Sequence, residues 1–250
     1  MFVARDEFIL LVGDQSGFQL RILAAYMSYY FGDNRLAHCF NAGEDVHQFF
    51  ADIYGIPRKI SKNVTFGYLF GAGVNKMTAT ANRGNPNPIT SSVIQGALDS
   101  LVDRMPALPQ TKQLFIDYAY AHDGYVHDWL GTRYHVPELL SKDKGTRASG
   151  ERKVFNYVIQ GFEASLFRHL QNQASALCEE YGGKQVLCVH DEVGYEVPEC
   201  MADTLIPELN RIMSPAFSEF VPAKGGPDNV GGLRLECEFN AGRSWYDAKD

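Results

Sequence analysis

The sequence predicts an α+β fold, with strands and helices in separate blocks rather than in regular alternation. Three observations carry that expectation. Phe8–Asp14 is a near-continuous apolar run closed by an acid, the pattern of a buried strand. Gln185–Pro198 has two alternating apolar arms around His190-Asp191-Glu192, the pattern of a β-hairpin with acids at its tip. Between these blocks, apolar residues recur mainly at helical spacing.

The chain has 250 residues, 45% apolar and 21% charged, the composition of an ordinary globular protein with a sizeable core. No run approaches the roughly 18–20 apolar residues of a membrane span, and Met1–Glu7 lacks a signal-peptide pattern. The five cysteines, Cys39, Cys178, Cys188, Cys200 and Cys237, are scattered and include no CxxC pair. That argues against a zinc site or a disulfide framework and for a reducing compartment, the cytoplasm. The net charge of −7 runs against a broadly basic nucleic-acid binder, although it leaves room for local basic clefts and for carboxylates that hold cations.

In chain order, Asp14 closes the first strand, and Ser16 is placed to cap a helix through Gln19 to about Tyr30. Gly32-Asp-Asn marks a loop. Glu44–Gly55 reads as a short amphipathic helix ending at a glycine, with His47 in its first turn. Pro57 suits the first position of the next helix. From there Arg58, Lys62, Phe66 and Phe70 recur every four residues and share one face. Two cations followed by two aromatic rings suit a polyphosphate at one end and a planar base at the other. An ordinary amphipathic helix with solvated cations has the same spacing.

Asn82–Pro88 is turn-rich, and helical segments follow at about 89–104 and 109–122. Gly124–Pro137 reads as a small hairpin with Arg133 near its turn, and Ser141–Arg147 as a polar loop. Gly150 to about Glu180 reads as one long helix on which Arg152, Asn156 and Gln160 share a face. These side chains suit base edges and sugars, or simply a polar outer face. A helix at about 200–214, a last strand at Leu233–Phe239 and a tail packed down by Trp245 complete the chain.

Together and in this order, these segments resemble the polymerase motifs of family A DNA polymerases, over nearly all 250 residues. Asp14-Gln-Ser-Gly-Phe-Gln-Leu-Arg21 is similar to the first motif, Arg58 to Phe70-Gly71 to the second, and Val189-His-Asp-Glu192 to the third. Tyr68-Leu-Phe-Gly-Ala-Gly73 is most similar to the phage T7 type. The resemblance implies a right-hand fold: a palm of 1–40 and 147–250 around an antiparallel sheet, and helical fingers inserted at 41–146. Thumb and exonuclease domains, which precede the first motif in the family, are on this reading expected to lie outside this chain. A separate N-terminal polypeptide carrying them is therefore the expected partner, as in a split phage polymerase.

The resemblance also implies substrates and roles: primer-template DNA, deoxynucleoside triphosphates (dNTPs), and two Mg2+ ions for which Mn2+ substitutes. Asp14, Asp191 and the Gln15 backbone carbonyl would hold the metal. His47, Arg58 and Lys62 would meet the triphosphate, with Lys62 protonating the leaving pyrophosphate. Phe66 would stack on the nucleotide, and Gln19 and Phe70 would flank its sugar. Arg133, Arg152, Asn156, Gln160, His190 and Glu192 would meet DNA, His190 at the primer terminus and Glu192 beside the metal ligands.

Two departures fall on one spot, because the family usually has Glu at Gln19 and Tyr at Phe70. Gln is nearly isosteric with Glu but offers donors that a carboxylate lacks. The expected result is exclusion of ribonucleotides that is present but weaker than usual. Two alternatives stay open: a non-catalytic DNA-binding or assembly module, and a fragment of the single-subunit RNA polymerase type.

Overall fold

The structure is a computed structural model that describes residues 2–222 and 230–249. Its centre is a four-stranded antiparallel sheet in the order β4-β5-β1-β6. β1 is Phe8–Gln15, β4 and β5 are Lys184–Val189 and Glu192–Pro198, and β6 is Cys237–Gly242. The two ends of the chain thus meet in one sheet, as the α+β reading requires. The period-two alternation of strands sorts their side chains. Leu11, Val193, Tyr195, Val197 and Phe239 enter the main core, while Leu10 and Val12 meet Ala4, Ala248 and Trp245 on the other face. Asp14 stands opposite Glu192 in the register and continues that second face.

Gln15 turns the other way. It is buried, and its side-chain Nε2 donates to the Met213 carbonyl at 2.7 Å. Only its main chain is left to face the acids.

α1 (Phe18–Phe31) is buried over nearly its whole circumference from Leu20 to Met27, so it is the central helix rather than a surface one. Ser16 does not cap it: the cap position is Gly17, at φ 62°, a left-handed conformation that glycine adopts without strain. The Ser16 amide instead donates to the Glu236 carbonyl at 2.8 Å, which ties the turn to the neighbouring chain. Buried Arg21 reinforces it, donating to the Ser16 and Arg234 carbonyls and pairing with Glu236.

The middle of the chain is helical. α2 is Arg35–Asn41, α3 Val46–Tyr54, α4 Arg58–Leu69, α5 Val74–Ala81, α6 Ser91–Arg104 and α7 Ala107–Ala121. Pro57 is the residue before the first helical position rather than that position itself. α3 and α4 pack as a pair, locked where Ser61 Oγ donates to the His47 carbonyl at 2.6 Å and where Tyr54 and Thr65 share a buried hydrogen bond of 3.1 Å. β2 (Tyr125–His127) and β3 (Arg133–His135) form the small hairpin.

The long helix expected from Gly150 begins earlier and is interrupted. α8 spans Lys144–Asn156, a π-helical turn covers Tyr157–Gly161, and α9 runs Phe162–Glu180. Asp143, inside the segment read as a loop, caps α8 through the Thr146 amide at 2.7 Å. The buried Tyr26 hydroxyl of α1 donates to the Val158 carbonyl at 3.0 Å, giving the irregular turn a partner. The π-turn breaks the regular helical spacing between Asn156 and Gln160.

The last strand also differs. Strand structure begins at Cys237 rather than Leu233. Leu233 and Leu235 are buried beside the 215–217 segment, exchanging main-chain bonds with Phe217 and Pro215, so their alternation reflects that contact and not the sheet. α10 (Ala202–Met213) matches the expected helix and keeps Pro207 inside it.

Candidate active site

The β4–β5 turn, α1, α3, α4 and α9 meet at one cleft, next to the end of β1. His190 and Asp191 form the turn between β4 and β5, with His190 at φ 58°, and the Asp191 carbonyl accepts from the Gln15 amide at 3.3 Å. That bond brings the turn beside the end of β1, and so Asp191 beside Asp14. Burial first, then the negative charges of Asp191 and Glu192, hold the Asp14 carboxyl above the usual carboxylate range. Lys249 and the Gln15 backbone pull it partly back. Like charges gathered in this way favour a cation. Among the described residues no three His, Cys, Asp or Glu side chains converge to hold a metal ion by themselves. A hard cation here would need oxygens beyond side chains, which suits Mg2+ bound by one or two carboxylates plus main-chain or substrate oxygens.

Glu192 is not at the tip of the hairpin. It is the first residue of β5 and is buried. Its Oε1 accepts from Trp245 Nε1 at 2.6 Å, and its Oε2 lies 2.6 Å from Lys249 Nζ. Lys249 in turn sits over the Trp245 ring at 4.7 Å. The C-terminal tail therefore clamps this acid from below, so its carboxylate is engaged by the tail rather than open to a primer.

In front of the turn is a cleft of about 320 Å³ whose lining includes Gln19, His47, Lys62, Phe66, Glu163 and Asp191. Five of these, all but Glu163, were singled out in sequence, and they come from three separate helices and the turn. Burial, then the positive charges of Lys62 and Arg58, lower the His47 imidazole below its ordinary value, so it is neutral at pH 7 and above. Its Nδ1 is buried with no partner among the described residues. The Phe66 ring lies 6.1 Å from His47 and stacks on Phe70 at 6.2 Å. Lys62 is exposed and makes no ion pair among the described residues.

Arg58 is not free. Its guanidinium pairs with Asp45, whose other carboxylate oxygen caps α3 through the His47 and Gln48 amides. An incoming anion would have to displace that carboxylate.

Glu163, which the sequence reading passed over, faces Gln19 across the junction of α1 and α9. Gln19 Nε2 donates to Glu163 Oε2 at 2.8 Å. Burial pushes the Glu163 carboxyl up to about 7; the Gln19 bond works against the rise and Asp191 adds to it. A second hollow of about 430 Å³ joins Gln19, Glu163, His190 and Asp191.

The remaining candidates lie outside both clefts. Arg133 stacks over the Tyr125 ring at 4.2 Å. Arg152 lays its stem on Gly71, whose φ is 72° and where an added Cβ would come within 2.5 Å of the arginine. Asn156 keeps a buried Oδ1 without a partner among the described residues, and Gln160 is exposed. Arg152 and Gly71, read as parts of two distant motifs, are thus in contact at the seam between α4 and α8. No helix among the described residues is long and apolar enough to cross a membrane.

Comparison with known proteins agrees with this architecture. Residues 1–247 match the family described as DNA polymerase family A. Curated relatives include the thermostable DNA polymerase I of Thermus filiformis, 28% identical over 99% of this chain and 28% of that protein. DNA polymerase I of Deinococcus radiodurans is 26% identical over 99% of this chain and 24% of its own length. The enzyme of Lactococcus lactis is likewise 26% identical, over 99% and 27%. The chain thus spans about a quarter of these relatives. Among solved structures, the POL domain of Pol1 from M. smegmatis, in complex with DNA primer-template and dNTP, aligns with a TM-score of 0.81. That match has 24% identity over 99% of this chain and 42% of that one, and establishes the shared fold.

Proposed function

Because the chain belongs to DNA polymerase family A, we propose that it is the palm and fingers of a template-directed DNA polymerase, extending a primer 3′-hydroxyl with deoxynucleotides and releasing pyrophosphate. The observation that carries this reading is the single cleft in which Asp191, Lys62, His47, Phe66 and Gln19 meet, with Asp14 beside it across the β1–β5 register. The palm is 1–40 with 147–250, and the fingers are 41–146.

Asp14, Asp191 and the Gln15 main-chain carbonyl would hold the cations. When bound, Mg2+ supplies charge stabilisation for the attacking and leaving oxygens of an in-line displacement. The protein's own contribution is to place the other groups. Lys62 offers a mobile point charge to the triphosphate and a proton to the pyrophosphate as it leaves. Arg58 offers a bidentate fork once Asp45 is displaced. Neutral His47 has a buried nitrogen without a partner among the described residues, and a phosphate's negative charge would offset the Lys62 and Arg58 charges that disfavour its protonation. Phe66 provides the flat surface for the nucleotide, and Gln19 faces its sugar. Arg152, Asn156, Gln160, Arg133 and His190 lie along the template-primer path, while Glu192 anchors the tail beneath the metal ligands.

The finer reading, a T7-like chain assembled with a separate thumb-bearing polypeptide, rests on the sequence motif Tyr68–Gly73 and on the duplex grip that palm and fingers leave to another segment. One experiment tests both levels: extension of a primed template with Mg2+ by the purified chain, by Asp191→Ala, and by the chain with the polypeptide encoded next to it. Extension that Asp191→Ala abolishes supports the polymerase reading. Extension that requires the neighbour supports the split assembly, and none in any condition refutes both.

A further inference from the structure

The proposed mechanism leaves Glu163 without a role, yet it is half-buried in the wall of the nucleotide cleft. Such a position is costly for a carboxylate, and nothing basic pairs with it among the described residues. Its hydrogen-bond partner is Gln19, at 2.8 Å.

The geometry fixes which way Gln19 points. A carboxylate oxygen accepts, so only the amide nitrogen of Gln19 can face it. The amide oxygen, on the opposite side of the same planar group, makes no hydrogen bond among the described residues and remains as an acceptor at the cleft. Untied, Gln19 has three side-chain torsions to rotate and two amide faces to offer. Tied, it has one position, and one of its donors is spent.

We propose that Glu163 is a positioning residue: it holds the Gln19 side chain in one place at the cleft wall and so sets how strictly the site excludes ribonucleoside triphosphates in favour of deoxyribonucleoside triphosphates. The inference rests on the polymerase reading and on Gln19 facing the sugar. A fixed side chain excludes an added 2′-hydroxyl by shape. A mobile one moves aside, or turns its amide donors toward the hydroxyl and welcomes it. The pair also explains why an amide stands at position 19. Two ionised carboxylates at this distance repel, so a glutamate across from Glu163 would have to share a proton with it, whereas the amide of glutamine donates to it outright.

The test compares incorporation of dATP and ATP opposite template thymine by wild type, Glu163→Ala, Glu163→Gln, Gln19→Glu and Gln19→Glu/Glu163→Gln, each in the assembly that supports extension. Glu163→Ala is expected to lower the dATP/ATP ratio of kcat/KM by roughly tenfold, the factor one hydrogen bond to a charged group commands. Glu163→Gln keeps an acceptor for Gln19 and is expected to retain most of the ratio. Gln19→Glu is expected to lose deoxynucleotide incorporation, and the double variant, with donor and acceptor exchanged, to recover it. An unchanged ratio in Glu163→Ala, or no recovery in the double variant, overturns the inference while leaving the polymerase reading intact. Absence of extension by wild type overturns that reading, and this inference with it.

Discussion

Replacing Lys249 with alanine tests the tail clamp beside Asp14 and Asp191, and the structure sets the size of the effect. The Glu192 side chain is 8% exposed and its partner Lys249 48% exposed. Removing one partner of a fully buried ion pair costs about 3–5 kcal/mol, because the other charge stays behind in the interior. Here the lysine already sits half in water, which screens the pair and brings the expected cost to about 2 kcal/mol. The reverse change is cheaper. Glu192→Gln lets Lys249 return to solvent and weakens only the charge-assisted bond from Trp245, about 1 kcal/mol.

Once Glu192 is neutral, Lys249→Ala has no buried charge to strand, so the double variant should cost no more than Glu192→Gln alone. At about 2–4 °C per kcal/mol for a chain of this size, Lys249→Ala should lower Tm by about 4–8 °C and Glu192→Gln by about 2–4 °C. Thermal unfolding followed by circular dichroism at pH 8 and low salt reads all four proteins. Additive losses, or a smaller loss for Lys249→Ala than for Glu192→Gln, refute the reasoning.

Three further expectations follow from the same geometry. Asp45→Asn keeps a good helix cap but frees Arg58, so KM for the deoxynucleotide should fall roughly two- to fivefold; a rise in KM contradicts the assignment of Arg58 to the triphosphate. The folded Glu163 carboxyl, held near 7, lies above its unfolded value of about 4.3. The unfolded chain therefore loses that proton first, and stability is lost as pH rises between the two values. After discounting for partial exposure, Glu163→Gln should be about 1–2 kcal/mol more stable than wild type at pH 8 and indistinguishable from it near pH 4.5; a gain independent of pH rules this out. Gly71→Ala, at φ 72° and against Arg152, should cost at least about 1–2 kcal/mol, and an unchanged Tm would show that the α4–α8 seam yields freely.

Much of the architecture was legible because it depends on local pattern. The period-two arms around His190 and Asp191 and the acid-terminated run at Phe8–Asp14 announced three of the four strands. The four-residue spacing from Arg58 announced α4. What failed depended on distant partners. Ser16 looked like a cap, but the cap position falls on Gly17, and the Ser16 amide ties the turn to Glu236, far along the chain. Leu233 and Leu235 alternate like a strand because they lie along the 215–217 segment.

The site divides in the same way. Gln19, His47, Lys62, Phe66 and Asp191 carry their chemistry in residue type and spacing, and the fold gathers them in one cleft. Glu163 and Lys249 matter only through the residues they touch, Gln19 and Glu192, and one-dimensional spacing does not encode those contacts. The π-turn at Tyr157–Gly161 is likewise invisible to periodicity, since it displaces a face by a single residue.

The most direct test of the account is single-nucleotide incorporation on a primed template with Mg2+, measured for wild type, Asp191→Ala and Lys62→Ala after each is shown to be folded by its thermal transition. The account predicts that Asp191→Ala loses at least about a hundredfold in rate and that Lys62→Ala loses both nucleotide affinity and rate. Incorporation by Asp191→Ala at the wild-type rate would contradict it.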